Sequence, residues 1–246
     1  MSLPTFVHEG VASLSAGDSV TLDGNEGHHA VTVRRIRVGE QIALTDGAGT
    51  TAVVTVTDTG KKSLSGTVDS GSTVAADVQR VVVVQAIPKG ERGELAVEML
   101  TEVGVDVIVP WAAGRSVSVW RGERAEKSLA KWRSAAREAA KQARRSWFPE
   151  VTDVATTEDV AALLAKAGVP VVLHEAASGP LANIPIPGRA EIVIVVGPEG
   201  GITDEELEAF AAVGAEPVRM GTSVLRSSTA GVAAAAALLS RTPRWR

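Results

Sequence analysis

Ile192-Val193-Ile194-Val195-Val196-Gly197-Pro198-Glu199-Gly200-Gly201-Ile202-Thr203-Asp204-Glu205-Glu206 reads as a strand, a glycine-containing turn and a helix start. The apolar run Ile192 to Val196 offers no polar face, as expected of a strand covered on both sides in a parallel sheet. The glycines after it permit positive φ and close approach of backbone to a ligand. A helix behind the turn would aim N–H groups at the loop, and Thr203 with Glu206 three residues on fits a capping box. The loop is neither G-x-G-x-x-G nor followed by Lys-Ser/Thr, so the Rossmann and P-loop fingerprints both fail. An ordinary strand-to-helix turn accounts for the same residues.

A second stretch has the same grammar: Met220-Gly221-Thr222-Ser223-Val224-Leu225-Arg226-Ser227-Ser228-Thr229-Ala230 leads into an Ala-rich helix. Two such turns point to a pocket made of backbone at the C-terminal ends of parallel strands. Arg226 lies between apolar segments, where a cation calls for an anionic partner or a developing negative charge. The competing reading is a helix cap by Ser227, Ser228 or Thr229 with Arg226 on the surface.

Working outward, Val81 to Ile87 is a continuous apolar strand, Glu91 to Val103 a helix and Val105 to Val109 a second buried strand. Long and short helices are expected at Glu123 to Arg145 and Glu158 to Ala167. Strands follow at Val169 to Leu173 and Pro217 to Met220, with helices at Asp204 to Val213 and Thr229 to Ser240. Alternating strands and helices of this kind predict a parallel α/β sheet. Before it, residues 1–75 are short alternating segments. Val31-Thr32-Val33, Gln41 to Leu44 and Ala52 to Val56 read as strands, and Asp23-Gly24, Asp46-Gly47 and Thr59-Gly60 as turns. That pattern predicts a small β-barrel. Asp69 to Ala76 reads as a linker or as a loop with strand ends. Two domains are therefore expected, 1–75 and 76–246.

The 246 residues are 45% hydrophobic, which allows a sizeable core and excludes global disorder. The absence of cysteine excludes disulfides, thiolate metal sites and a Cys nucleophile, and fits a reducing cytoplasm. Met1-Ser2-Leu3-Pro4 shows no signal-peptide pattern, and no apolar run reaches the roughly 20 residues of a membrane span. The four histidines, at 8, 28, 29 and 174, show no metal-ligand spacing beyond the adjacent His28-His29, so no metal is expected.

Net charge is −4, yet residues 121–145 hold nine Lys or Arg against three Glu, leaving −10 for the remainder. Arg133, Arg137, Lys141 and Arg145 recur every four residues along one helix face, with Trp132, Ala136, Ala139 and Ala143 on another. A solvated charged face is the common explanation for such a pattern, but three Glu cannot neutralise nine cations, so the stripe reads rather as a contact for RNA or DNA phosphate. His28, His29, Arg34 and Arg35 form a second basic group in the N-terminal domain that could meet RNA, although loop histidines and a solvent-facing strand edge are the better reading of these residues alone.

These residues together resemble the RsmE-type 16S rRNA uridine N3-methyltransferases of the SPOUT superfamily. The resemblance runs through Phe6, His28-His29, Arg35-x-x-x-Gly39, Pro88-Lys89-Gly90, Glu102-x-Gly104-Val105, Gln142 to Arg145 and Pro149-Glu150. It is closest at Val196 to Gly201 and Gly221-x-x-Val224-Leu225-Arg226. It implies a PUA-like β-barrel, a mainly parallel α/β domain with a deep trefoil knot, a homodimer, and S-adenosylmethionine as cofactor. By that likeness the cofactor would meet Leu173, His174 and Glu175, the loop Val196, Gly197, Pro198, Glu199, Gly200 and Gly201, and Met220, Gly221, Val224 and Leu225. The implied reaction is methylation of uracil N3 near the decoding centre of 16S rRNA. Arg226 would stabilise charge on the base, with Ser227, Ser228 or Thr229 hydrogen-bonding it. Lys89 joins His28, His29, Arg34, Arg35, Arg133, Arg137, Lys141 and Arg145 as expected RNA contacts. The family's Leu-Arg-Thr-Glu-Thr-Ala is Leu225-Arg226-Ser227-Ser228-Thr229-Ala230 here. A ribose 2′-O-methyltransferase of the same superfamily, or an RNA-binding assembly protein without catalysis, would share much of this pattern.

Overall fold

The structure is a computed structural model that describes residues 3–245; Met1 and Ser2 of the N-terminal segment lie outside the described residues. The chain divides into two compact units. One comprises residues up to Ala76 together with Ala140–Phe148, and the other Asp77–Ala139 with Pro149–Arg246. The short segment 140–148, expected from sequence to belong with the second half, thus joins the first unit.

The first unit holds β1 (Thr5–Val7), β2 (Ser19–Leu22), α1 (Gly24–His28), β3 (Gln41–Thr45), β4 (Thr50–Thr59) and β5 (Leu64–Thr73). The strands form a mixed sheet in the order β1-β3-β4-β5-β2, with β1 parallel to β3 and every other pairing antiparallel. Alternate residues of β2, β4 and β5 turn inward, and Phe6, Leu22, Ile42, Leu44, Val54, Val56, Leu64 and Val68 form the core. Asp69 to Thr73 is strand, not linker. Val31-Thr32-Val33 is not a strand: His29–Val33 continues from α1 as a π-type helical turn. Three alternating residues span less than one helical turn, so their pattern does not separate the two conformations.

The second unit is built on β6 (Val81–Ala86), α2 (Arg92–Val103), β7 (Val107–Trp111), α3 (Gly122–Gln142, whose last turn crosses into the first unit), β8 (Glu150–Val151) and α4 (Thr157–Leu164). It continues through β9 (Val169–Leu173), β10 (Gly179–Pro180), β11 (Ile192–Val196), α5 (Asp204–Ala211), β12 (Pro217–Arg219) and α6 (Ser227–Leu239). All seven strands are parallel, in the order β10-β12-β9-β11-β6-β7-β8. Successive residues of the central strands feed opposite cores. Val81, Val83, Ile192 and Ile194 pack with α2, α3 and α6, whereas Val82, Val84, Val193 and Val195 pack with α4 and α5. Each such side chain withdrawn from water contributes about 1.5–3 kcal/mol, which is why these strands are apolar except for Gln85 of β6. Because β11 and β12 flank β9 in a parallel sheet, the loops leaving all three emerge at one edge. Among the described residues no helix is long and apolar enough to cross a membrane.

Candidate active site

That edge carries a cavity of about 330 Å³. Leu173, His174 and Glu175 reach it from the end of β9. Val196, Gly197, Pro198, Glu199, Gly201 and Ile202 come from β11 and its loop, and Val218, Arg219, Met220, Gly221, Ser223, Val224, Leu225 and Arg226 from β12 and its loop. Ser227 and Ala230 of α6 and Arg92 of α2 complete the wall. Of the thirteen residues expected from sequence to meet a cofactor, twelve line this one cavity.

Gly197 has a steric reason to be glycine. A Cβ there would lie 2.7 Å from Ile202 Cγ1, so the loop folds back on itself only without a side chain. The turn then ends in a complete capping box: the Glu206 N–H donates to Thr203 Oγ1 and the Thr203 N–H to Glu206 Oε2. Buried Glu206 also accepts from the Gly114 N–H at 2.7 Å. Beside it, the backbone N–H of Glu205, the Thr203 hydroxyl and nearby Arg115 hold the Glu205 carboxyl below its ordinary range. Gly200 does not line the cavity: it sits against Arg115, whose Cβ and carbonyl oxygen would be 3.0 Å from an added Cβ.

The opposite wall is the start of α6. Arg226 is its N-cap, exposed, and its side chain has no partner among the described residues. Among the described residues no side chain caps the helix, and while the Thr229 N–H bonds the Arg226 carbonyl, the N–H groups of Ser227 and Ser228 are left without an intrahelical partner. Ser227 is buried, and its Oγ accepts from Gln85 Nε2 at 2.9 Å. Thr229 is not part of the cavity; its hydroxyl donates to the Arg226 carbonyl at 3.1 Å, a local bond that consumes it. Of the carboxylates, Glu199 accepts from the Lys89 N–H at 3.2 Å and faces Arg92 at 3.9 Å. Glu175 has no partner among the described residues. His174 Nδ1 accepts from the Ala176 N–H at 3.2 Å, which leaves Nε2 as the protonated nitrogen of the neutral ring.

The expected RNA contacts scatter. His28 shares a hydrogen bond with Thr32 Oγ1, His29 packs edge-on to Phe6, and Arg34 and Arg35 are exposed in the first unit. Lys89 is exposed in the second unit, as is Arg137 on α3. Arg133 is paired with Asp153 at 2.9 Å and donates to the Val151 carbonyl. Lys141 is not a surface cation: it is 7% exposed and paired with Glu26 at 3.1 Å within the first unit. Arg145 lies beyond α3, which ends at Gln142, with Arg144 at φ 55°. The four-residue stripe is therefore not a continuous basic face. Sequence reasoning also passed over Gln85, Arg92 and Arg219. Gln85 had a signal, being the lone polar residue of an otherwise apolar strand.

Comparison with known proteins fits this geometry. An RNA methyltransferase domain model matches residues 76–239, and an RNA methyltransferase PUA domain model matches residues 22–69. Ribosomal RNA small subunit methyltransferase E of Mycobacterium tuberculosis is 42% identical over 233 residues, 93% of this chain and 89% of the relative. The chain belongs to the ribosomal RNA small subunit methyltransferase E family. The Bacillus subtilis methyltransferase E is 27% identical, covering 95% of this chain and 94% of its own. The methyltransferase E of Neisseria gonorrhoeae, solved bound to S-adenosyl methionine, superposes with a TM-score of 0.87 at 26% identity, over 98% of each chain. A Legionella pneumophila protein solved with the cofactor SAM gives 0.89 at 26% identity, over 98% of this chain and 99% of that one. The methyltransferase E fold is thus the PUA-like mixed sheet and the parallel α/β domain described above, and every residue lining the cavity falls within the methyltransferase match.

Proposed function

We propose that this protein transfers a methyl group from S-adenosylmethionine to N3 of a uridine near the decoding centre of 16S rRNA, in the cytoplasm and as a homodimer. The observation that carries the reading is the cavity itself. Two glycine-bearing loops wall it with backbone, and an unpaired Arg226 stands at its edge beside the uncapped start of α6. Its volume of about 330 Å³ is within the ordinary range for small-ligand sites. The donor set fits the cofactor: backbone groups of both loops for an adenine edge, apolar Val196, Ile202 and Leu225 for its faces, and Glu175 for an ammonium or hydroxyl group. The resemblance further implies a trefoil threading of the chain through these loops.

Bound S-adenosylmethionine supplies an electrophilic methyl carbon on a sulfonium. The rest of the task is positioning and charge. Uracil N3 becomes a nucleophile only when its proton leaves, passing to solvent water at the open cavity, and negative charge then spreads onto the flanking carbonyl oxygens. Arg226 and the N–H groups of Ser227 and Ser228 at the start of α6 are the donors for that charge. Ser227, held by Gln85, keeps its hydroxyl proton free to donate to the base. Glu199 is occupied by Lys89 and Arg92, which leaves Glu175 as the lining carboxylate able to meet the cofactor.

The test is transfer of tritium from labelled S-adenosylmethionine to small ribosomal subunits from a strain lacking this gene, followed by nucleoside mass analysis. Label in 3-methyluridine is the expected result. Label in a 2′-O-methylnucleoside would replace the base with the ribose as target, and no label in subunits or free rRNA would overturn the reading.

A further inference from the structure

A second cavity, of about 250 Å³, adjoins the first. The Pro88–Arg92 turn after β6 is their common wall. Arg92 lines the first cavity, Gly90 and Glu91 line the second, and the Lys89 N–H between them is bonded to Glu199 of the first. Across from this turn the second cavity is closed by Trp120 and by Arg124, Ser128 and Lys131, one face of the first half of α3.

Its chemistry is mixed in an unusual way. Glu91 and Glu94 bring two carboxylates; Arg124 and Lys131 bring two cations. Neither cation has an ion-pair or hydrogen-bond partner among the described residues, although both signs line one cavity. Trp120 is half-buried and held edge-to-face on buried Trp132, with centroids 5.1 Å apart and planes at 81°. Trp132 is fixed in turn against Gly93, where a Cβ would come within 2.7 Å of its indole. An anchored indole, unpaired cations and separate unpaired carboxylates are satisfied together by one ligand: an aromatic base with an exocyclic amino group, carrying a phosphate.

We infer that this cavity is the subsite for a nucleotide flanking the target uridine in single-stranded RNA, an inference that rests on the methyl-transfer reading above. The base stacks on Trp120, Glu91 and Glu94 accept from its amino group, and Arg124 and Lys131 meet its phosphate. An amino-bearing base, adenine, guanine or cytosine, is thereby favoured over uracil. The subsite also moves the RNA contact of the basic helix toward its N-terminal half. Arg133 and Lys141 are spent on protein partners, whereas Arg124 and Lys131 are not.

The experiment compares wild type with the Arg124→Glu/Lys131→Glu double variant on small subunits lacking the modification. It is joined by photocrosslinking of the wild type to an rRNA fragment bearing 6-thioguanosine, which keeps an exocyclic amino group, beside the target. The expected result is a rise in KM of about tenfold and a salt slope shallower by about 0.7 for each phosphate that the variant no longer neutralises. The turnover number and the S-adenosylmethionine Kd by calorimetry should be unchanged, and crosslinks should fall on the peptide containing Trp120. Unchanged KM and slope in a variant that binds cofactor normally, or crosslinks confined to other peptides, overturn the subsite alone. A variant that loses cofactor affinity while keeping its KM for RNA reassigns these residues to support of the Pro88–Arg92 wall and overturns it too. A wild type that methylates neither subunits nor free rRNA overturns the methyl-transfer reading, and the subsite with it.

Discussion

Gln85 Nε2 donates to Ser227 Oγ at 2.9 Å, joining the end of β6 to the first residue of α6 with both side chains buried. Gln85 Nε2 also reaches the Ala86 carbonyl, while its Oε1 has no partner among the described residues. A buried amide with an unsatisfied oxygen costs free energy, so a purely structural strand would do better with an apolar residue here. What the amide accomplishes is directional: by donating to Ser227 it fixes which way that hydroxyl points.

Replacing Gln85 with Leu should therefore separate stability from catalysis. One neutral hydrogen bond is worth about 1 kcal/mol, or roughly a fivefold effect on rate. Single-turnover methyl transfer should fall by about that factor, with the melting temperature unchanged or raised and cofactor affinity unchanged. A Q85L enzyme that is less stable yet transfers at the normal rate would make Gln85 a packing residue.

Gly197 lies where a side chain would strike Ile202. Overpacking of this kind costs about 1–3 kcal/mol, and the strain falls on the loop that walls the cavity. Gly197→Ala should weaken S-adenosylmethionine binding by about tenfold or more, measured by calorimetry. Trimming the obstacle in the double variant Gly197→Ala/Ile202→Ala should recover part of that loss. Undiminished affinity in the single variant would mean that the loop opens without consequence.

The parts of this molecule that sequence conveyed well are those where one residue type admits one environment. Val81 to Ala86 and Ile192 to Val196 have no polar face, so they had to be covered on both sides, and the loops after β11 and β12 followed from their glycines. Shorter signals failed. Val31-Thr32-Val33 is too brief for its period to discriminate, and it lies in a helical turn that begins with His29. The charged stripe failed for another reason: periodicity specifies a face but not what the face meets. Lys141 stands in phase with Arg133 and Arg137, yet segment 140–148 folds with the first unit, where Glu26 awaits it. Thr229 and Ser227 look alike in sequence; only the backbone decides that one bonds the Arg226 carbonyl and the other faces the cavity.

The Lys141–Glu26 pair gives a stability prediction. With side-chain exposures of 6% and 14%, both charges are largely withdrawn from water. Removing one partner leaves the other buried and uncompensated, at a cost of about 3–5 kcal/mol. Lys141→Met should lower the urea midpoint accordingly, whereas Lys141→Met/Glu26→Leu should restore most of it. The double variant should also keep the salt dependence of rRNA affinity. A flattened salt slope in that variant would return Lys141 to the RNA surface.

Arg226 separates binding from chemistry most sharply. Its backbone carbonyl accepts from the N–H groups of Thr229 and Ala230 and thereby starts α6, so truncating the side chain leaves these bonds in place. The guanidinium itself is exposed at the cavity edge with no partner among the described residues, and it contributes nothing evident to the fold. If it acts on charge that develops on the uracil oxygens, its effect belongs to the transition state and not to cofactor affinity. Loss of one such donor costs about 10²–10³ in rate. Arg226→Ala should show that loss in single-turnover transfer to small subunits, with the S-adenosylmethionine Kd and the melting temperature within error of wild type. Arg226→Lys keeps the charge but not the planar fork, and should recover only part of the rate. An alanine variant with near-normal transfer would leave the uncapped N–H groups of α6 to stabilise the base on their own.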